Sequence, residues 1–297
     1  MDQIARLKDR LIIAFHRLFR SREGLVLKNI HGSRMWLDIS TGGISHQLVL
    51  DGTRENLETQ VLQNALSPGD CVLDIGANIG YYALMEARIV GPTGQIYAIE
   101  PEEQNVNLLR KNVELNDYTK FVEIHQMGVS DKSGTGKLFI GSAGNLHSMV
   151  ADSSDEHIEI ATTTIDEFLK DRKTVDLVRM DIEGYECEAI DGMMETLRRS
   201  GHPKKMLIEV HPHFYDQNRD FVSRLAKLRE LGFKPSFIVS AGIARPQEIV
   251  SCGYEPIATT TEGQLTRGLY QDVSWDHLID FLNCPRKIVR AIFLQRD

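Results

Sequence analysis

Residues 72–80 read V-L-D-I-G-A-N-I-G, from Val72 to Gly80, and the fold is read outward from them. Cys71 to Ile75 is an apolar run interrupted only by Asp74, the pattern of a strand buried on both faces. Gly76 and Gly80 let the chain turn sharply and let a ligand lie against bare backbone. IGYYALMEARIV, which follows, has helical character. Further along come QIYAIE (95–100) as a strand, EEQNVNLLRKNVELN (102–116) as a helix and FVEIHQMGV as a third strand. VDLVRMDIE (175–183), KMLIEVHP (205–212) and KPSFIVS are strands, separated by the helices ECEAIDGMMETLRRS and RDFVSRLAKLRELG (219–232), the latter closed by Gly232. Strand–helix alternation at this spacing predicts parallel strands joined by right-handed crossovers, a doubly wound α/β sheet.

The flanks read differently. LVLKNI, RMWLDI and HQLVL, punctuated by His31-Gly32 and Thr41-Gly42-Gly43, predict a small antiparallel β cap. Leu57, Val61, Leu62 and Leu66 recur at helical spacing until Pro68-Gly69. Ser130 to Asp155 is polar, with a hairpin expected at KLFIG, and TTTIDEFLKD reads as a short helix capped by Thr163 or Thr164. Beyond Ala241 a helix capped by Ser274 and a last antiparallel strand are expected. The organisation is then an amphipathic helix and β cap over 1–52, a main domain over 53–240, and an extension over 241–297 that packs on the core.

Composition excludes several classes. Over 297 residues, 34 basic against 42 acidic side chains leave a net charge of −8, unlike a uniformly basic nucleic-acid binder. No stretch approaches ~18 uncharged apolar residues, so no membrane span is expected. Cys71, Cys187, Cys252 and Cys284 form no C-x-x-C pair and predict neither a zinc ribbon nor a disulfide scaffold; they read as buried thiols in a reducing cytoplasm. Residues 1–22 carry six basic and two acidic side chains, and Ile4, Leu7, Leu11, Phe15 and Leu18 fall at helical spacing. Such a helix packs on its own domain or on a second copy in a homodimer; peripheral contact with an anionic membrane is the alternative.

Ligands of open α/β sheets bind beyond the carboxyl ends of the strands. There the chain places Asp74, the G-A-N-I-G loop and, ~20 residues on, Glu100, suited to the hydroxyls of a ribose. A pyrophosphate would be repelled by Asp74 next to the loop. A ligand with a cationic amino-acid end would not, so the loop favours S-adenosylmethionine over a dinucleotide.

These stretches, with NVELN (112–116), GVSDKSG (128–134), TTTIDEFL (162–169), VDLVRMDIEGYECEAIDG (175–192) and LIEVHP (207–212), resemble the FkbM family of S-adenosylmethionine-dependent methyltransferases. The resemblance covers most of residues 45 to 215. It implies a class I methyltransferase, Rossmann-like, with a mostly parallel seven-stranded sheet whose last strand is antiparallel. O-methylation of a hydroxyl on a small molecule, sugar or lipid-linked acceptor is the implied activity. Carried over, Asp74, Gly76, Asn78 and Gly80 hold the methionine end, Glu100 the ribose, and Pro101 with Gly128, Val129, Ser130 and Asp131 the adenine. Asp181 points toward the transferring methyl.

Asp181, Glu183, Glu209, His211 and His213 end two neighbouring strands and converge on one crevice. His211 is the expected base because an unperturbed imidazole titrates near neutrality. Asp181 is the runner-up, and Asp181, Glu209 and His211 together could bind Mg2+. Glu183 is equally placed to cap the next helix. Asn145, His147 and Ser148, in the loop 141–150, are candidate contacts for the acceptor. Two rival readings stay open: an RNA ribose methyltransferase with Lys204, Lys205 and Glu209 in a charged site, and a non-catalytic interaction protein that binds S-adenosylmethionine.

Overall fold

The computed structural model describes residues 9, 11–16, 20–21, 24–40, 43–141, 147–150, 156–199 and 202–297. Its strands are β1 (Leu25–Ile30), β2 (Ser33–Asp38), β3 (Cys71–Ile75), β4 (Gln95–Ile99), β5 (Val122–His125), β6 (Gly128–Val129), β7 (Gly134–Phe139), β8 (His157–Thr163), β9 (Leu177–Met180), β10 (Lys205–Glu209), β11 (Lys234–Ser240), β12 (Ala258–Glu262), β13 (Leu265–Gln271) and β14 (Val289–Gln295). The helices are α1 (Gly43–Asp51), α2 (Asn56–Ala65), α3 (Tyr81–Val90), α4 (Glu103–Leu115), α5 (Ile165–Phe168), α6 (Glu186–Asp191), α7 (Met194–Arg199), α8 (Phe221–Glu230), α9 (Gln247–Val250) and α10 (Trp275–Asn283).

One nine-stranded sheet, ordered β12-β13-β11-β14-β10-β9-β3-β4-β5, forms the centre. From β5 to β10 all neighbours are parallel, and β14 inserts antiparallel between β10 and β11. Seven of these strands match the expected sheet. The hairpin β12–β13, antiparallel on β11, raises the number from seven to nine. Residues after Ala241 are therefore not only a layer on the core: they supply three strands of the same sheet.

The sheet is covered on both faces, as buried parallel strands require. Leu73, Ile75, Val178, Met180 and Ile208 face one apolar layer with Ile190, Leu225 and Leu278. Val72, Leu177, Leu207 and Phe293 face the other, with Leu62, Leu84 and Leu109. Asp74 shares the face of Val72, so strand alternation turns its carboxylate under α3.

Several expectations are corrected. HQLVL is the body of helix α1, with Ser45, Leu48 and Val49 buried; the i, i+3, i+4 pattern is helical, and five residues are too few to show it. FVEIHQMGV is not one strand: β5 stays in the main sheet, while β6 pairs with β8 in a separate sheet ordered β6-β8-β7. ECEAIDGMMETLRRS breaks into α6 and α7 at Gly192, where a Cβ would lie 2.2 Å from the Ser130 carbonyl oxygen. Of the N-terminal stripe, Ile4, Leu7 and Leu18 lie outside the described residues, as does Asn145 of the acceptor loop. Leu11 and Phe15 are exposed and Ile13 is buried, so the packed side of that helix lies opposite the stripe. Cys71 and Cys187 are buried, whereas Cys252 is exposed. Thr164 and Ser274 cap α5 and α10 as expected. No helix among the described residues is long and apolar enough to cross a membrane.

Candidate active site

A cavity of about 330 Å³ opens at the carboxyl ends of β3, β4, β9 and β10. One end is built from local sequence. The chain leaves β3 through Gly76, Asn78 and Gly80, all with positive φ (81°, 49° and 95°). The Gly76 and Ala77 N–H groups donate to the Ile99 carbonyl at 2.9 and 3.0 Å, which folds the loop over the end of β4. A Cβ on Gly76 would lie 1.8 Å from the Asp181 carbonyl oxygen, so only glycine lets β3 and β9 close here. Glu100 lines this end and is held by three donors: Asn78 N at 2.9 Å, Glu102 N at 3.0 Å and Asn105 Nδ2 at 3.3 Å. Burial pushes its carboxyl up to about 7, although those donors pull it down. Pro101, Met127, Gly128 and Val129 complete the wall. Ser130 and Asp131, expected there, are not part of it: the Ser130 hydroxyl donates to Asp131 Oδ1 at 3.1 Å, and the Asp131 carboxylate is 40% exposed.

The other end gathers residues from across the chain. Asp74, predicted to meet a cationic ligand, is fully buried and already paired, with Arg179 Nη1 at 2.9 Å from its Oδ1. Neither Asp74 nor Gly80 lines the cavity. Arg179 Nη2 lies 2.9 Å from Asp181 Oδ2, and the guanidinium sits 4.0 Å above the centre of the Tyr82 ring. Placing a carboxylate beside the loop did not reveal its counter-ion, because Arg179 is 105 positions away and enters through the register of β9 against β3.

His211, at the end of β10, is 7% exposed. Its Nδ1 lies 2.8 Å from Glu186 Oε1, and its Nε2 lies 3.3 Å from Glu183, 3.5 Å from Glu209 and 3.9 Å from Asp181. Burial alone would lower the imidazole, but the hydrogen bond and charge of Glu186, reinforced by Glu209, raise it well above its ordinary value. The ground for choosing His211 as base, an unperturbed near-neutral ring, is thereby overturned. Burial and the neighbouring acids push Glu183 up to about 8 despite His211, and burial with Glu209 raises Asp181 against the pull of Arg179. Burial would also raise Glu209, but Arg290 lowers it. Glu183 caps no helix. It stands at φ 49° with its carboxylate on the cavity wall. Asp181, Glu183 and His211 each bring a ligand atom within 4.8 Å of the others, and Glu209 groups instead with Glu55 and Asp181.

Four residues of this end were not singled out from sequence. Arg54 and Glu55 precede α2, Glu58 lies on α2, and Arg290 on β14 reaches Glu55 at 3.0 Å, Glu58 at 3.4 Å and Glu209 at 2.8 Å. Burial and Glu55 push Glu58 up to about 7. Glu186 was passed over as well, and its buried side chain also accepts from Tyr215 Oη at 3.0 Å and Gly184 N at 3.1 Å. Of the acceptor candidates, His147 lines the cavity, while the Ser148 hydroxyl is buried and donates to the Glu183 carbonyl. His213 does not line it. Lys204 and Lys205 lie where β10 begins, at the opposite end of the strand from Glu209, and Lys205 Nζ donates to the Ala65 carbonyl; they cannot complete a charged site here.

A model of the methyltransferase FkbM domain matches residues 74–235. Among curated proteins, a protein-L-isoaspartate O-methyltransferase of Aeropyrum pernix is 39% identical over 57 residues, 19% of this chain and 22% of that protein. Methyltransferase sdnD of Sordaria araneosa is 26% identical over 157 residues, 42% of this chain and 60% of that protein. The chain thus spans less than two thirds of the length of these relatives. An FkbM methyltransferase structure from Methylobacillus flagellatus has TM-score 0.42 at 14% identity, covering 77% of this chain and 53% of that one. A precorrin-6y C5,15-methyltransferase from Geobacter metallireducens has TM-score 0.44 at 13% identity, covering 82% and 89%.

Proposed function

Because this chain belongs to the methyltransferase FkbM domain family, we propose that it transfers the methyl group of S-adenosylmethionine to a hydroxyl oxygen of a small-molecule, sugar or lipid-linked acceptor. The observation that carries this reading is one cavity with two chemically different ends: a backbone cradle with a single carboxylate, and a cluster of acids around a histidine. Glu100 accepts from the ribose hydroxyls, since an ionised carboxylate has lone pairs left after its three existing donors. Adenine lies against Pro101, Met127 and Val129. Gly76, Ala77 and Asn78 line the wall against which the methionine end lies, and Asp181 stands beside the sulfonium.

The transfer is an in-line displacement at carbon: the acceptor oxygen bonds to the methyl carbon, and the carbon–sulfur electron pair leaves with S-adenosylhomocysteine. The acceptor proton passes to the Glu183–His211 pair. Glu183, pushed up to about 8, is a base matched to mildly alkaline pH. The His211 imidazolium, fixed by Glu186, stabilises the charge next to it, and Asp181 and Glu209 hold the other side of the ring. A divalent cation is the second reading, favoured by the ligand atoms of Asp181, Glu183 and His211 lying together. Mg2+ held there would act as a Lewis acid on the acceptor hydroxyl.

The test uses methyl-labelled S-adenosylmethionine and fractionated small-molecule extract, with products identified by mass spectrometry. Label on a hydroxyl is expected. Glu183→Gln lowers turnover about 10²–10⁴-fold while calorimetric binding of S-adenosylmethionine stays unchanged. Label found only on RNA or protein overturns the acceptor class, and full turnover after chelation overturns the cation.

A further inference from the structure

The pairing of Asp74 with Arg179 leaves a question for the cofactor's amino-acid end. S-adenosylmethionine carries a carboxylate as well as an ammonium. Asp181, Glu183 and Glu209 line this end of the cavity and further acids are buried behind it, among Arg54, Arg179, Arg290 and His211. A carboxylate entering a low-dielectric, acid-rich site is repelled unless it lands on a guanidinium with a free donor.

The three arginines lining the cavity are not equally engaged. Arg179 is committed twice over, with Nη1 on Asp74 and the Gly76 carbonyl and Nη2 on Asp181. Arg290 faces three acids, Glu55, Glu58 and Glu209. Arg54 has one, Glu55, which it shares with Arg290. Its Nε is buried and has no hydrogen-bond partner among the described residues; Arg290 Nε lacks one as well but lies 3.4 Å from Glu58 Oε1. Arg54 is also fixed against the cofactor loop: Tyr81, the first residue of α3 after Gly80, donates from Oη to the Arg54 carbonyl at 2.7 Å and accepts from Arg54 N at 3.2 Å. The side chain lines the same cavity as Gly76, Ala77 and Asn78.

We propose that Arg54 binds the methionine carboxylate of S-adenosylmethionine through its unpaired Nε–H and its charge. The anchor thus comes from the segment before the matched family domain, 20 positions ahead of Asp74. It supplies the positive partner that the loop and β3 lack. This rests on the cofactor reading above, and it adds which group meets the carboxylate.

The test separates the amino-acid half of the ligand from the nucleoside half. Binding of S-adenosylmethionine, S-adenosylhomocysteine and 5′-methylthioadenosine is measured by calorimetry on the full chain, wild type and Arg54→Gln. Methylthioadenosine has the same nucleoside and sulfur but no carboxylate. The expected result is a loss of about 10-fold or more for the first two ligands and no change for the third. Arg54→Lys, which keeps the charge but not the Nε–H, should fall between. Glu55 retains Arg290 in these variants, which protects the fold. An equal loss for all three ligands overturns the proposal, since the residue would then be structural, and so does unchanged binding of all three. If wild type binds none of them, the cofactor reading itself falls, a result the variants cannot produce.

Discussion

The two ends of the cavity are built on opposite principles. The end proposed to take the nucleoside uses Gly76 to Pro101 and Met127 to Val129, short stretches that sit together because β3, β4 and β5 are adjacent. It has one carboxylate, Glu100, held by the backbone donors of Asn78 and Glu102. The end proposed for methyl transfer draws on residues 54–58, 179–186, 209–211 and 290, brought together by the strand order β3-β9-β10-β14. It carries its charges in pairs and shared triplets. A site that grips a constant group can be made by local geometry. One that must tolerate charge moving during reaction needs counter-ions from many directions.

The difference can be broken at the boundary. Gly76→Ala puts a methyl 1.8 Å from the Asp181 carbonyl oxygen at a positive φ. Strain and overpacking together should cost about 4 kcal/mol and disable both ends, read as a collapse of the denaturation midpoint and of cofactor binding. Retained stability would mean that the β3 and β9 ends can separate without loss.

Arg179→Met should injure chiefly the transfer end, with the loss of one bond to the Gly76 carbonyl at the boundary. It leaves Asp74 and Asp181 buried without their shared cation, a loss of about 3 kcal/mol in chemical denaturation. Adding Asp74→Asn removes one of the stranded charges and should restore part of that stability. Methylthioadenosine binding should survive in both. A double variant no more stable than the single one would show that Asp74 is not the charge Arg179 neutralises.

The smallest effect belongs to the nucleoside end. Burial raises Glu100 from 4.5 to about 7, so between those values the unfolded chain releases this proton before the folded one does. Its contribution to stability is therefore present in full below 4.5 and falls as pH rises toward 7. Ribose hydroxyls donate to the ionised form, so cofactor affinity should move the other way, rising several-fold from pH 6 to 8. Glu100→Gln should flatten that rise, and a rise that persists in the variant would assign it to another group.

The same contrast explains what the sequence revealed. Asn78, Gly76 and Glu100 lie within a strand–loop–helix–strand unit whose spacing is its own signal. Asp181, Glu209 and His211 were recognisable as strand-end acids and a histidine, but not their relation to one another. An imidazole among four carboxylates differs from a solvated one, and no window of sequence contains Glu186 and His211 together. Arg54, Glu58 and Arg290 carry no local motif at all; they matter because Arg290 comes within 3.0 Å of Glu55, 235 positions away. HQLVL shows the smaller failure, a helical pattern cut too short to be distinguished from alternation.

Arg290 sits on β14, which slides between two strands already placed, β10 and β11. During synthesis, Glu55, Glu58 and Glu209 all emerge before Arg290, the cation they share. Until then Glu55 has Arg54 and Glu209 has His211, but Glu58 lacks the cation it faces, and a chain cut short near residue 285 would lack the strand that joins β10 to β11. Assembly of this end of the cavity is thus tied to the arrival of β14 between β10 and β11.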